Sequence, residues 1–223
     1  MRSVVLFCLL FLFSSPALAV PAISCHCFRD RSFDPERPAA ADPYLLATTQ
    51  NSFISAVFGI EKKTIVRAKM SGASGDELWV EGYVARRGEM PVEKAAAARG
   101  DAASWQQALT RLGTAPDALG ERFAAAAAGG ADETVLAEIA AEEMLQENFG
   151  TSPAELVELR ATGAGTKEII LAELLSGLSK RSAPAIYKGA AEGSETWGEL
   201  LHRSGLTAAA IEEAVRRRVD GRR

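Results

Sequence analysis

Helix punctuation constrains this chain more than any other feature. From residue 43 onward it is rich in Ala, Leu and Glu, and no window sustains the period-2 alternation of a strand. Pro43, Pro91, Pro116, Pro153 and Pro184 stand where a first helical turn begins. Gly88, Gly113, Gly129, Gly150, Gly163, Gly193 and Gly205 stand where one ends. Proline lacks an N–H that the first turn leaves unpaired anyway, and glycine accepts the left-handed residue that closes a helix. The helices are therefore many and short, expected over 43–58, 61–70, 75–87, 91–99, 103–112, 116–128, 132–149, 153–162, 166–179, 184–192, 196–204 and 207–219. In Thr151-Ser152-Pro153-Ala154-Glu155 either Thr151 or Ser152 can cap, with Glu155 reaching back. The fold class is all-α.

Three segments follow one plan: RGEMPVEKAAAARGDAASWQQALTRLG over 87–113, FGTSPAELVELRATGAGTKEIILAELLSG over 149–177, and SKRSAPAIYKGAAEGSETWGELLHRSG over 179–205. Each has a Pro-started short helix, a Gly turn and a second helix, with Trp105 and Trp197 heading the second helix in two of them. A hairpin this small cannot bury its own apolar face, so copies must stack. The expectation is a set of stacked helical hairpins, α-solenoid-like, over 43–223, preceded by an extended arm over 20–42. The stretch Ala161-Thr162-Gly163-Ala164-Gly165-Thr166-Lys167 has the look of a phosphate-binding loop, but a helix precedes it and Lys167 follows Thr166, so it reads as the repeat's turn. Trp79 and Tyr83, at i and i+4, read as core.

Residues 1–19 have the form of a signal peptide. Arg2 supplies the charged start, Val4 to Phe13 the apolar run, and Ala17-Leu18-Ala19 the cleavage site. The apolar run is too short to span a bilayer, which needs about 20 residues. A periplasmic or secreted location follows. A competing reading takes Ala22-Ile23-Ser24-Cys25 as a lipoprotein box, although Pro16 and Pro21 separate it from the apolar run. The formal net charge is −4, one unit more negative once Arg2 leaves with the leader, and this mild acidity argues against a nucleic-acid partner. A hydrophobic content of 48% suits a globular body rather than a disordered one.

Cys8 leaves with the leader, so the mature cysteines are Cys25 and Cys27, flanking His26. The spacing C-H-C rules out the C-x-x-C-H attachment of haem. Structural zinc needs further ligands such as Asp30 or Asp34, or a second subunit. Cuprous ion accepts two thiolates, and copper is the alternative to having no cofactor. Oxidation to a strained local disulfide is the plain outcome for exported thiols, and a redox role would start from it.

The arm also carries Arg29, Asp30, Arg31 and Asp34 between Phe28 and Phe33, which are placed to pin it to the helical body. Within the first helix the run Thr48-Thr49-Gln50-Asn51-Ser52 is polar around its circumference, so some of it must be buried and hydrogen-bonded or must face a groove. A ligand site is expected between arm and first helix, using Arg29, Arg31, Gln50 and Asn51. No G-x-S-x-G, H-E-x-x-H or G-x-G-x-x-G motif occurs, and Glu142 and Glu143 are adjacent helix positions that cannot converge on one bond. Arg216 to Arg218 with Arg222 and Arg223 suit a helix C-terminus, and also a weak contact with an anionic membrane surface.

The segment ISCHCFRDRSFDPERPAAADPY followed by helical hairpins resembles a class of uncharacterised exported bacterial proteins. That resemblance implies the periplasm and no particular activity. The expected function is a non-enzymatic binding or scaffolding module for an envelope protein or polymer, the alternative being a small copper or redox protein built on Cys25, His26 and Cys27.

Overall fold

The computed structural model describes residues 28–222, and those residues form twelve α-helices and two short 3-10 turns with no strand. The helices are α1 (Asp42–Phe58), α2 (Lys62–Met70), α3 (Gly75–Arg87), α4 (Val92–Gly100), α5 (Trp105–Leu112), α6 (Glu121–Ala128), α7 (Glu133–Phe149), α8 (Pro153–Ala161), α9 (Thr166–Ser176), α10 (Ala183–Ala191), α11 (Trp197–Arg203) and α12 (Ile211–Asp220). None of them is long and apolar enough to cross a membrane.

Caps explain most boundaries. Ser74 and Thr196 each accept a hydrogen bond from the backbone N–H three residues on, while Glu77 and Glu199 reach back to the cap's own N–H, completing two capping boxes. Ser104, Asp132, Ser152 and Ser182 cap α5, α7, α8 and α10 through their side chains. Ser152 thus takes the cap position before Pro153, and Thr151 is buried behind it.

Two expected helices are broken. The span 116–128 divides into a 3-10 turn, Pro116–Leu119, and α6, because Gly120 between them adopts φ 77° and ψ 146°. A Cβ there would stand 3.2 Å from the Glu143 carboxylate and 3.4 Å from the Tyr83 hydroxyl, so the chain turns where only glycine fits. The span 207–219 likewise opens with a 3-10 turn, Ala208–Ala210, before α12.

One turn recurs. It joins α2 to α3, α6 to α7, α8 to α9 and α10 to α11. In it Gly72, Gly130, Gly163 and Gly193 take φ of 104°, 75°, 91° and 70°. The next residue's N–H bonds five residues back, Ala73 to Ala68, Ala131 to Ala126, Ala164 to Leu159 and Ser194 to Gly189, at 3.0 to 3.1 Å. The α4–α5 turn has Ala102 where the others have glycine. Arginines support it instead: Arg99 donates to the Ala102 carbonyl at 2.8 Å and Arg111 to the Asp101 carbonyl. Two hairpins, α2–α3 and α6–α7, thus share the turn geometry of two of the three copies found in the sequence, α8–α9 and α10–α11.

The helical packing is consistent with solenoid-like repeats. Long helices form its centre: α1 lies against α2, α3, α9, α11 and α12, and α7 against α3, α6, α9 and α12. Because α12 returns to α1, the last helix covers the first. Trp79, Tyr83, Trp105 and Trp197 are all buried in the core. Phe53 and Phe58 pack on Trp79 with ring centroids 5.9 and 5.7 Å away, and the Trp105 indole N–H donates to Glu133 at 2.8 Å.

The arm over 28–41 docks on α1 and α11. Phe28 meets Tyr44 edge-on at 5.7 Å, and Phe33 stacks on His202 at 5.0 Å. Asp42 accepts from the backbone N–H of Trp197 (3.2 Å) and Gly198 (2.8 Å), tying the start of α1 to the start of α11.

Candidate functional site

A large cleft forms where four elements meet. Tyr44, Thr48 and Ser55 share one face of α1. Glu61, Lys62, Lys63, Val66 and Met70 come from α2 and its approach, Glu212 and Arg216 from α12, and Arg31 from the arm. The spacing of the α1 residues, four and then seven positions, returns each to the same side of a 3.6-residue helix. The cleft encloses about 830 Å³.

Its walls are mixed in character. Arg31 lies over the Tyr44 ring, 5.7 Å from the centroid, and donates to the Phe28 carbonyl at 3.2 Å. Glu212 is shared between Arg216 at 3.2 Å and Lys62 at 3.5 Å. Burial pulls the Lys62 amine below its ordinary pKa, with Glu212 opposing the shift. Lys63 pairs with Glu61 at 2.8 Å, both well exposed. Met70 is 62% exposed and, with Val66, gives this wall an apolar surface.

The expected site residues fall in different places. Arg31 lines the cleft, beside Thr48 of the polar run, and Arg29 is exposed on the arm. Gln50 projects from the opposite side of α1 to Thr48, and its amide lies near Gly75 at the start of α3. Its Oε1 is buried without a partner. Asn51 accepts from Lys69 of α2 at 2.6 Å. The whole run from Thr48 to Ser52 is buried, and Thr49 and Ser52 satisfy their hydroxyls on the carbonyls of Leu45 and Thr48, each at 2.7 Å. Lys62, Lys63, Glu212 and Tyr44 did not emerge from sequence reasoning, and Arg216 emerged only as part of the basic C-terminus. Glu212 and Arg216 are legible as an i,i+4 pair, but nothing local says that α12 packs beside α2.

Lys69 occupies a position that recurs. It is the next-to-last residue of a nine-residue helix, as are Arg99 in α4 and Arg160 in α8. Arg99 meets Glu133 at 3.5 Å, and Arg160 meets Glu142 at 3.2 Å, the Ala164 carbonyl at 3.1 Å and Thr166 at 3.0 Å. Lys69 meets a neutral amide instead. Burial first, then Lys167, push its amine down to about 8, with Asp76 opposing.

Other perturbed groups serve packing. The Tyr83 hydroxyl, buried between α3 and α7, bonds the Leu119 carbonyl at 2.7 Å and the Glu143 carboxylate. Burial, then Glu143, hold it well above the ordinary phenol range. Arg87 bridges Glu143 and Glu147 and covers the Tyr83 ring at 5.1 Å. Glu142 turns to Arg122 and Arg160, so the adjacent carboxylates diverge. Glu173 is pushed up to about 7 by burial and then by Glu155, while Arg218 at 3.2 Å opposes the shift. Arg218 also lies over the Phe149 ring at 4.6 Å and donates to the Glu173 carbonyl at 2.5 Å. Glu81 rises to about 7, chiefly by burial and then by Glu77 and Glu133.

Cys25, His26 and Cys27 lie outside the described residues, as do the leader, the proposed lipid attachment point and Arg223. Among the described residues no group of three or more His, Cys, Asp or Glu side chains could hold a metal ion. No protein-family model matches the chain, and neither a curated protein nor a solved structure matches it.

Proposed function

We propose that this chain is an exported, periplasmic helical-repeat protein that acts as a non-enzymatic binding or scaffolding module of the cell envelope. Its partner, another envelope protein or a polymer, would sit in the cleft between the arm, α1, α2 and α12. The observation that carries this reading is the cleft itself, an open space of about 830 Å³ lined by both charged and apolar side chains from four elements. The leader over residues 1–19 supports the location. Elsewhere the perturbed groups are engaged in packing: Tyr83 with Glu143, and Glu173 with Arg218.

Affinity capture from an envelope fraction with the purified mature protein tests the reading. Recovery of a partner that is lost on alteration of cleft residues is the expected result. Empty capture at every salt concentration, with a mature protein that carries stoichiometric copper, would overturn it in favour of chemistry at Cys25 and Cys27. Intact mass is expected to begin at Val20 without added lipid.

A further inference from the structure

We infer that the cleft recognises an acidic peptide segment of its partner, gripping carboxylates with Lys62, Lys63 and Arg216 and apolar side chains with Tyr44, Val66 and Met70. This rests on the reading of the chain as a binding module and names the partner's chemistry.

Charge is the first argument. The cleft is lined by Arg31, Lys62, Lys63 and Arg216 against only Glu61 and Glu212, although the chain as a whole carries −4. A cationic recess in an acidic molecule is a local reversal, and complementary potential is what steers and orients a charged partner. Within the recess Glu212 must serve both Lys62 and Arg216. Lys62 is half-buried with its charge disfavoured by burial, so an incoming carboxylate would stabilise a cation that the fold itself answers with one shared group. The side chains of Lys63 and Arg216 are 73% and 55% exposed and can turn toward a ligand without unpacking the core.

The apolar wall separates a peptide from other polyanions. Met70 is among the few large apolar side chains left exposed. It stands one helical turn from Val66 and lines the same cleft as the Tyr44 ring, a space large enough for several side chains. A carboxylated polysaccharide or a phosphate chain would satisfy the cations but leave Met70 and Val66 in water. A peptide that alternates acidic and apolar residues covers both, because successive side chains of an extended chain point to opposite faces. Methionine's flexible thioether suits the accommodation of varied apolar side chains.

The test uses the mature full chain and a short fluorescent peptide of alternating glutamate and leucine, titrated at low salt by anisotropy. Saturable binding is expected, weakened about tenfold or more by the pair Arg216→Glu and Lys63→Glu, and weakened by added salt as screened charges require. Both positions are exposed, and circular dichroism is to be used to check that the variant folds. The same peptide with glutamine for glutamate should not bind. No binding, or binding that ignores the charge reversal, overturns the inference. Polygalacturonate or polyphosphate binding as tightly as the peptide also overturns it, since the apolar wall would then contribute nothing. An envelope partner captured equally by the wild type and the charge-reversed variant would leave the binding module standing and remove this inference alone.

Discussion

The hairpins α8–α9 and α2–α3 place a cation at the same point of the same turn and surround it differently. In the first, Arg160 reaches Glu142 of α7, whose side chain keeps 15% exposure and also takes Arg122 at 3.0 Å. In the second, Lys69 reaches Asn51 of α1, which is fully buried. The difference follows from where the two long helices lie. Helix α7 retains a solvent edge along which carboxylates stay hydrated, whereas α1 is enclosed by α2, α3, α9, α11 and α12. A carboxylate at residue 51 would meet a large desolvation cost, and a neutral amide avoids most of it while leaving the lysine incompletely answered.

Breaking the ion pair with the most buried carboxylate, Arg218 with Glu173, should cost most. Arg218→Ala strips Glu173 of its partner in a buried setting and should lower unfolding free energy by about 3 kcal/mol in urea titrations. Stability unchanged by Arg218→Ala would mean that Glu173 folds protonated and needs no partner. Arg160→Met removes bonds to Glu142, the Ala164 carbonyl and Thr166, and should cost about 2 kcal/mol.

Lys69→Met is expected to go the other way, raising stability at neutral pH by about 1 kcal/mol, since the loss of one bond to Asn51 is outweighed by removal of a poorly solvated charge. The pH dependence sharpens the contrast. The Lys69 amine sits near 8 in the folded chain against 10.5 as its ordinary value. Between those values the unfolded chain holds a proton that the folded chain has released, so wild-type stability gains a rising contribution from pH 8 to 10.5. Lys69→Met should lose that contribution and Arg160→Met should keep it. Equal losses from Lys69→Met and Arg160→Met would erase the distinction between the two hairpins.

The smallest effect is expected from the arm's cysteines. A loop this short barely restrains the unfolded chain, so Cys25→Ser with Cys27→Ser should melt within a few degrees of wild type. Chelation should likewise leave the melting temperature unmoved. A transition in the wild type alone that a chelator lowers would show a metal coupled to folding.

Much of the helix pattern could be read from residues because its causes are local. Pro153 after Ser152, Gly163 after a short helix and Thr196 ahead of Glu199 act within a few bonds of themselves. The break at Gly120 could not be read, since it depends on Glu143 and Tyr83 arriving from other helices. The α2–α3 and α6–α7 hairpins escaped comparison because their shared feature is a backbone conformation, while their side chains differ. Of the four residues expected at a ligand site, Arg31 stands in the cleft, whereas Asn51 turns to Lys69 and Gln50 projects from the far side of α1.

Composition and punctuation by themselves determined an all-α chain of short helices, and the polar run in α1 marked that helix as unlike the rest. Only the tertiary structure decided that α1 would be the enclosed helix, that Asp42 would cap α11, and that Glu212 and Arg216 would line one cleft with Tyr44. The physical reason is range. Capping and turn formation are settled among neighbouring residues, whereas the return of α12 to α1 is a burial event among apolar faces that carry no address of their own. Charges brought together by such packing acquire their partners, and Lys69 its lowered pKa, only once the faces have met.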